Sequence, residues 1–138
     1  MKKWIIFFAG LWWSCSLWGQ AQTSFHEIFP LDSVKMIQLD LYDEPEIKPW
    51  PGNNIMIETK VKLYDASEVI LDHFVEGGRY KVETVMVEDQ LTLLSVDKER
   101  KTIKTKHGEC FEEVKTVVYM PENFTESGTY QYLRSDDN

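Results

Sequence analysis

The chain predicts a mainly β fold, an antiparallel sandwich or roll with one short helix over about residues 66–76. Three observations carry this expectation. Apolar and polar residues alternate with a period of two from Val34 to Tyr42 and again from Ile55 to Tyr64, the spacing of half-buried strands. Turn residues such as Pro51-Gly52-Asn53-Asn54 punctuate the alternation at short intervals. Only one stretch, Ala66 to Phe74, repeats its apolar residues at helical spacing.

The first segment carries a different pattern. Lys2 and Lys3 precede an apolar run from Trp4 to Trp13, and the small residues Gly19 and Ala21 follow. Residues 1–21 therefore read as a secretory signal cut after Ala21. Ser14, Ser16, Gly19 and Gln20 interrupt the run before the roughly 20 apolar residues that a membrane-spanning helix needs. The expected location is outside the cytoplasm: periplasm, outer membrane or medium. A competing reading makes Cys15 the lipid-modified first residue of a lipoprotein. The rest, 22–138, reads as one β-rich domain with residues 125–138 as a loose polar tail, given Ser127-Gly128 and Ser135 to Asn138.

In Val34 to Tyr42, Ile37, Leu39 and Leu41 share one face and Met36, Gln38 and Asp40 the other. Pro45, Pro49 and Pro51 leave room for a short edge segment around Ile47. Next comes the clearest strand, with Ile55, Ile57, Thr59, Val61 and Leu63 opposite Met56, Glu58, Lys60 and Lys62. Together these read as a meander. Asp65 and Glu68 have capping-box spacing, Ala66, Val69, Ile70, His73 and Phe74 form the helix face, and Gly77-Gly78 ends it. Further strands are expected over Arg79 to Val87, Leu91 to Val96, Thr102 to Lys106 and Cys110 to Met120, the last closed by Pro121.

Charge and cysteine usage narrow the function. Acidic side chains number 23 against 15 basic, a net charge of −8, and the expected signal carries bases but no acid. A nucleic-acid partner is not expected for so acidic a chain. Cys15 lies in the signal and Cys110 stands alone after it, so no internal disulfide is expected. With Phe111 and Val114 nearby, Cys110 reads as a buried thiol.

Candidate sites follow from clustering. His107 and Cys110 sit beside Glu109, Glu112 and Glu113, yet the second ligand pair of a zinc site is missing. Asp40, Asp43, Glu44 and Glu46 gather carboxylates without the spacing of an EF-hand loop. Neither a metal nor a cofactor is expected. Lys98, Arg100, Lys101, Lys104 and Lys106 form a locally basic hairpin, suited to edge protection or to an anionic glycan or lipid. Trp50, fenced by Pro49 and Pro51, can stack on a sugar ring or partner surface, with Tyr42 and Tyr64 as neighbours. No nucleophile elbow, zinc-protease helix, phosphate loop or dinucleotide fingerprint occurs, so no catalytic residue is expected.

The run Val34-Lys35-Met36-Ile37-Gln38-Leu39, the turn Trp50-Pro51-Gly52-Asn53, the strand Ile55 to Lys60 and the ending Val117-Val118-Tyr119-Met120-Pro121 resemble the auto-transporter adhesin head domains of bacterial envelope proteins. The resemblance covers about Ser33 to Phe124. It implies an exported, all-β, non-catalytic module with an adhesive role, and a β-solenoid-like form as the alternative architecture. The leading expectation is thus a secreted or periplasmic binding module that touches an envelope glycan or surface protein. The alternative is an assembly component that docks through an exposed strand edge, for which the Pro-free segment Ile55 to Tyr64 is the candidate.

Overall fold

The computed structural model of the chain describes residues 20–135. In order these form β1 (Gln20–Pro30), β2 (Met36–Asp40), β3 (Glu46–Trp50), β4 (Asn54–Tyr64), α1 (Glu68–Glu76), β5 (Val82–Val87) and β6 (Gln90–Ser95). There follow β7 (Lys104–Thr105), β8 (Gly108–Glu109), β9 (Glu112–Pro121), β10 (Phe124–Gly128) and β11 (Gln131–Arg134). The expected signal segment lies outside the described residues, except that Gln20 and Ala21 open β1. Ala21 is 1 % exposed and faces Leu63 across the ladder, so the expected cleavage point falls within β1.

Two mixed sheets make a sandwich-like arrangement, as the alternation predicts. One runs β1-β4-β9-β3 and the other β10-β11-β2-β6-β5, with a small β7-β8 hairpin apart. Most pairings are antiparallel, but β2 with β6 and β3 with β9 are parallel. No stacked rungs occur among the described residues, so the sandwich rather than the solenoid describes the fold. The expected meander is also replaced. Strand β2 leaves for the second sheet, where it lies between β11 and β6, and β3 pairs with β9 rather than with β4. Successive strands on opposite sheets let one core take apolar residues from both.

Strand β4 serves two cores. Its Ile55 and Ile57 join Ile37, Leu39, Leu93, Val118 and Tyr132 between the sheets. Val61 and Leu63 join Leu71, Tyr80, Ile103 and Cys110 under the helix. Thr59 and Thr116 face each other at the junction, both buried. Burying the branched side chains of β4 contributes roughly 1.5–3 kcal/mol each.

The helix begins later than the capping-box reading has it. Ser67 is the N-cap, and its hydroxyl accepts from the Ile70 N–H at 3.4 Å. Asp65 instead takes a left-handed conformation, φ 58°, in the sharp turn out of β4. Leu71 is the residue that α1 buries fully, with Ile70, Phe74 and Val75 packed beside it. Val69 stays exposed. Gly78, at φ +83°, supplies the left-handed residue that ends the turn after the helix.

The C-terminal segment expected to be loose is ordered through Arg134. Strands β10 and β11 form a hairpin, and β11 pairs with β2. Tyr132 is buried in the core between the sheets. Arg134 donates from Nε to the Val34 carbonyl at 2.7 Å and from Nη2 to the Leu31 and Asp32 carbonyls at 3.1 Å each. A polar segment can thus be held by one aromatic and one arginine. Tyr132→Ala is therefore expected to cost about 3 kcal/mol, read as a lowered urea midpoint, whereas a tail outside the core would give no shift.

Candidate functional site

The outward residues of β1, β4 and β9 line up in cross-strand rungs. One rung is Gln22–Lys62–Glu113 and the next is Ser24–Lys60–Lys115. These residues line a groove of about 530 Å³ on the solvent face of the four-stranded sheet. Its chemistry is mostly basic in an acidic protein. Lys60 stands directly opposite Lys115, an arrangement that repulsion disfavours by a few tenths to about 1 kcal/mol. Lys60 reaches Glu58 at 3.4 Å, and Lys62 lies 5.0 Å over the Tyr64 ring. Among the described residues, Lys115 makes no ion pair within 4.0 Å.

The neighbouring rungs frame this groove. His26 Nε2 meets Glu58 Oε2 at 2.9 Å, and this contact is the main reason the Glu58 carboxyl is held below its ordinary value. Farther along, Met56 faces Tyr119, and Tyr119 lies 6.0 Å from the Trp50 ring. One sheet face thus carries an aromatic end and a lysine-lined middle.

A buried polar network fixes the other side of the sheet. Arg79, 9 % exposed, forks onto Glu112 with contacts of 2.9 and 3.0 Å and also donates to the Lys101 carbonyl. Tyr80 donates to the same Glu112 carboxylate. Burial pushes the Glu112 carboxyl up, but the hydrogen bonds from Arg79 and Tyr80 outweigh it and hold the group below its ordinary value. Burial and the same carboxylate push the Tyr80 hydroxyl up. The fork ties the segment after the helix to the start of β9.

Glu27 is the oddity of β1. Its side chain turns inward, where Oε2 accepts from the Val82 N–H at 3.3 Å and Oε1 has no partner among the described residues. Burial raises its pKa, with the Val82 hydrogen bond and Lys81 pulling the other way.

The residues expected to bind from sequence are scattered. Trp50 folds over its own turn, donating to the Asn54 carbonyl at 2.9 Å; a Cβ on Gly52 would sit 2.5 Å from the indole. Trp50 pairs with Pro121 at one end of β9, whereas Tyr64 borders the other end, beside Phe111 and Glu113. The three aromatics therefore form no common patch. Tyr42 packs under Arg100, whose guanidinium lies 4.7 Å from its ring. The Arg100 side chain is only 4 % exposed and pairs with Asp43, so it leaves the expected basic hairpin for the interior. Lys98, Lys101, Lys104 and Lys106 remain exposed, with Lys104 opposite Glu109 in the β7-β8 hairpin.

The buried thiol is as expected: Cys110 lies in the second core and donates to the Asp65 carbonyl at 3.4 Å. His107 and His73 line one groove between α1 and the hairpin, but no group of three metal-ligating side chains forms among the described residues. Lys60, Lys62 and Lys115 escaped the sequence reading. Alternation puts the first two outward, but only the β4-β9 register brings Lys115 to them. No helix among the described residues is long and apolar enough to cross a membrane, which leaves strand-spanning open. No family model, curated protein or solved structure matches the chain.

Two variants test these contacts. Glu112→Gln is expected to lower stability by about 2–4 kcal/mol, because the Arg79 guanidinium is left half-matched in the interior. The lowered Glu112 pKa contributes stability that is present above the ordinary value of 4.5 and is lost as pH falls through the folded value; in Glu112→Gln that acid-side loss should be smaller. Glu27 has the opposite sign. Its raised pKa means that wild-type stability declines as pH rises from 4.5 through the folded value. Urea midpoints of Glu27→Gln and wild type should therefore separate in the variant's favour toward neutral pH, and equal slopes with pH would refute the assignment.

Proposed function

We propose that the protein is an exported, non-catalytic binding module of the bacterial envelope that holds an anionic glycan on the outer face of its four-stranded sheet. The observation that carries this reading is the in-register Lys60–Lys115 pair at the centre of a groove, in a chain of net charge −8. Folding gains nothing from two ammonium groups facing each other; a bound carboxylate or sulfate between them would convert the repulsion into attraction. Lys62 and the polar side chains of Gln22 and Ser24 extend the same groove, giving hydrogen bonds for hydroxyls beside charge for acid groups. Burial of the binding charges is slight, so affinity is modest and strongly salt-dependent.

Export and the envelope setting rest on the Lys2-Lys3 segment with its apolar run and on the resemblance to adhesin head domains. Turnover has no place in this reading, since the groove lysines are exposed or half-exposed rather than held in a desolvated cleft.

Heparin, with uncharged dextran as control, is the probe. Lys60→Thr is expected to weaken heparin binding about tenfold or more, and at the same time to leave the fold equally or slightly more stable, since it removes a like-charge cross-strand pair. Lys115→Glu should abolish retention on a heparin column. Unchanged retention of either variant, with chemical denaturation confirming a folded protein, would sink the proposal.

A further inference from the structure

Among the described residues the two sheets end in four edge strands, and three are blunted. Strand β1 turns the charged Glu27 inward and has α1 packed on it. Strand β3 carries Lys48 and Pro49, and β10 breaks its register with a bulge between Glu126 and Gly128. Inward charge, proline, lysine and bulges are the usual means by which a sheet edge avoids pairing. Strand β5 has no proline, lysine, bulge or inward charge, and its one charged residue, Glu83, is exposed. Its sequence is Val-Glu-Thr-Val-Met-Val, with Val85, Met86 and Val87 exposed to 47, 52 and 64 %.

The open backbone groups of β5 can be assigned. Val82 donates its N–H to Glu27, away from β6. In an antiparallel ladder, residues alternate between those bonded to the neighbour and those facing away. Thr84 and Met86, two and four residues on, therefore direct their N–H and C=O toward the open side. Met86 pairs with Leu91 and Thr84 with Leu93, both core residues, so Thr84 and Met86 sit on the inner face of the second sheet. They are exposed nonetheless.

We propose that this edge is occupied by a second copy of the same chain, paired antiparallel about a two-fold axis at Val85. That axis sets Thr84 opposite Met86 of the second copy and Met86 opposite its Thr84, matching outward-facing residues with outward-facing residues on both sides. Val85 meets Val85, and Glu83 meets Val87, so no acid opposes an acid. At the ends Lys81 falls opposite Asp89, and both side chains are exposed. The strand is thus self-complementary in hydrogen bonding and in apolar contact, with one Lys81–Asp89 pair at each end. Joining the two five-stranded sheets would give one continuous sheet and would cover part of both exposed Met86 side chains. It would leave the lysine groove of each copy open, so this pairing stands independently of the glycan proposal.

Sedimentation equilibrium of the protein over a wide concentration range tests the pairing, with two variants at the axis. Wild type is expected to rise from monomer to twice that mass. Val85→Lys and Val85→Glu each place like charges face to face and should weaken self-association about tenfold or more. Mixing the two variants should restore the doubled mass, which a merely unfolded variant could not do. In the wild-type dimer, the Thr84 and Met86 amides should exchange more slowly than in the monomer. A wild type that stays monomeric throughout, or a Val85→Lys variant that associates like wild type, would overturn the proposal.

Discussion

The period-two alternation of β4 is the constraint on which the rest of the molecule depends. Its odd residues, from Ile55 to Leu63, are buried in succession between the sheets and then beneath the helix. Its even residues, Glu58, Lys60 and Lys62 among them, are thereby forced onto the solvent face. A slip of one residue in pairing would exchange the two sets, putting lysines into the cores. The hydrophobic burial that holds the fold therefore also fixes the register that sets Lys60 against Lys115.

The Arg79–Glu112 fork belongs to the same logic. Two charges out of water gain little over an apolar pair, because desolvation offsets their attraction. Their value is positional. The guanidinium accepts one geometry from Glu112 and the Lys101 carbonyl, and so defines how the segment after α1 meets the start of β9. Arg100 does the same for the loop carrying Asp43 and Tyr42. The acids and bases that cluster along the sequence are mostly spent on such internal ties or on solvent. Lys60 keeps one internal tie, to Glu58, but its confrontation with Lys115 gains the fold nothing, and that pair is accordingly the one proposed to meet a ligand.

The two open features of the surface lie on different parts of the sandwich. The lysine groove is on the outer face of the first sheet, and the unblunted edge is at the margin of the second. A module paired through β5 would carry two grooves related by a two-fold axis. Two weak sites on one body reach a polymeric ligand with an effective concentration that a single site lacks.

Local information was legible in the sequence. Alternation marked β2, β4 and β9, the prolines marked the short β3, and helical spacing with Gly77-Gly78 marked α1, because each signal spans a few neighbouring residues. Strand β1 was missed: Glu27 interrupts its inward face and Ile28 stands out on its exposed one, so the pattern is broken where the structure turns a carboxylate inward. Residues 125–138 read as a loose tail in the sequence, whereas the part through Arg134 is ordered, because Tyr132 and Arg134 are held by β2 and the Leu31–Val34 loop. Segment Ile55 to Tyr64, which reads in the sequence as an exposed edge, lies between β1 and β9. What the sequence alone determined was which residues face in and which face out along each strand. Which strands are neighbours, and hence which lysines confront each other and which edge stays open, was decided by tertiary structure, because pairing joins residues far apart in the chain and leaves no mark in the spacing of either partner.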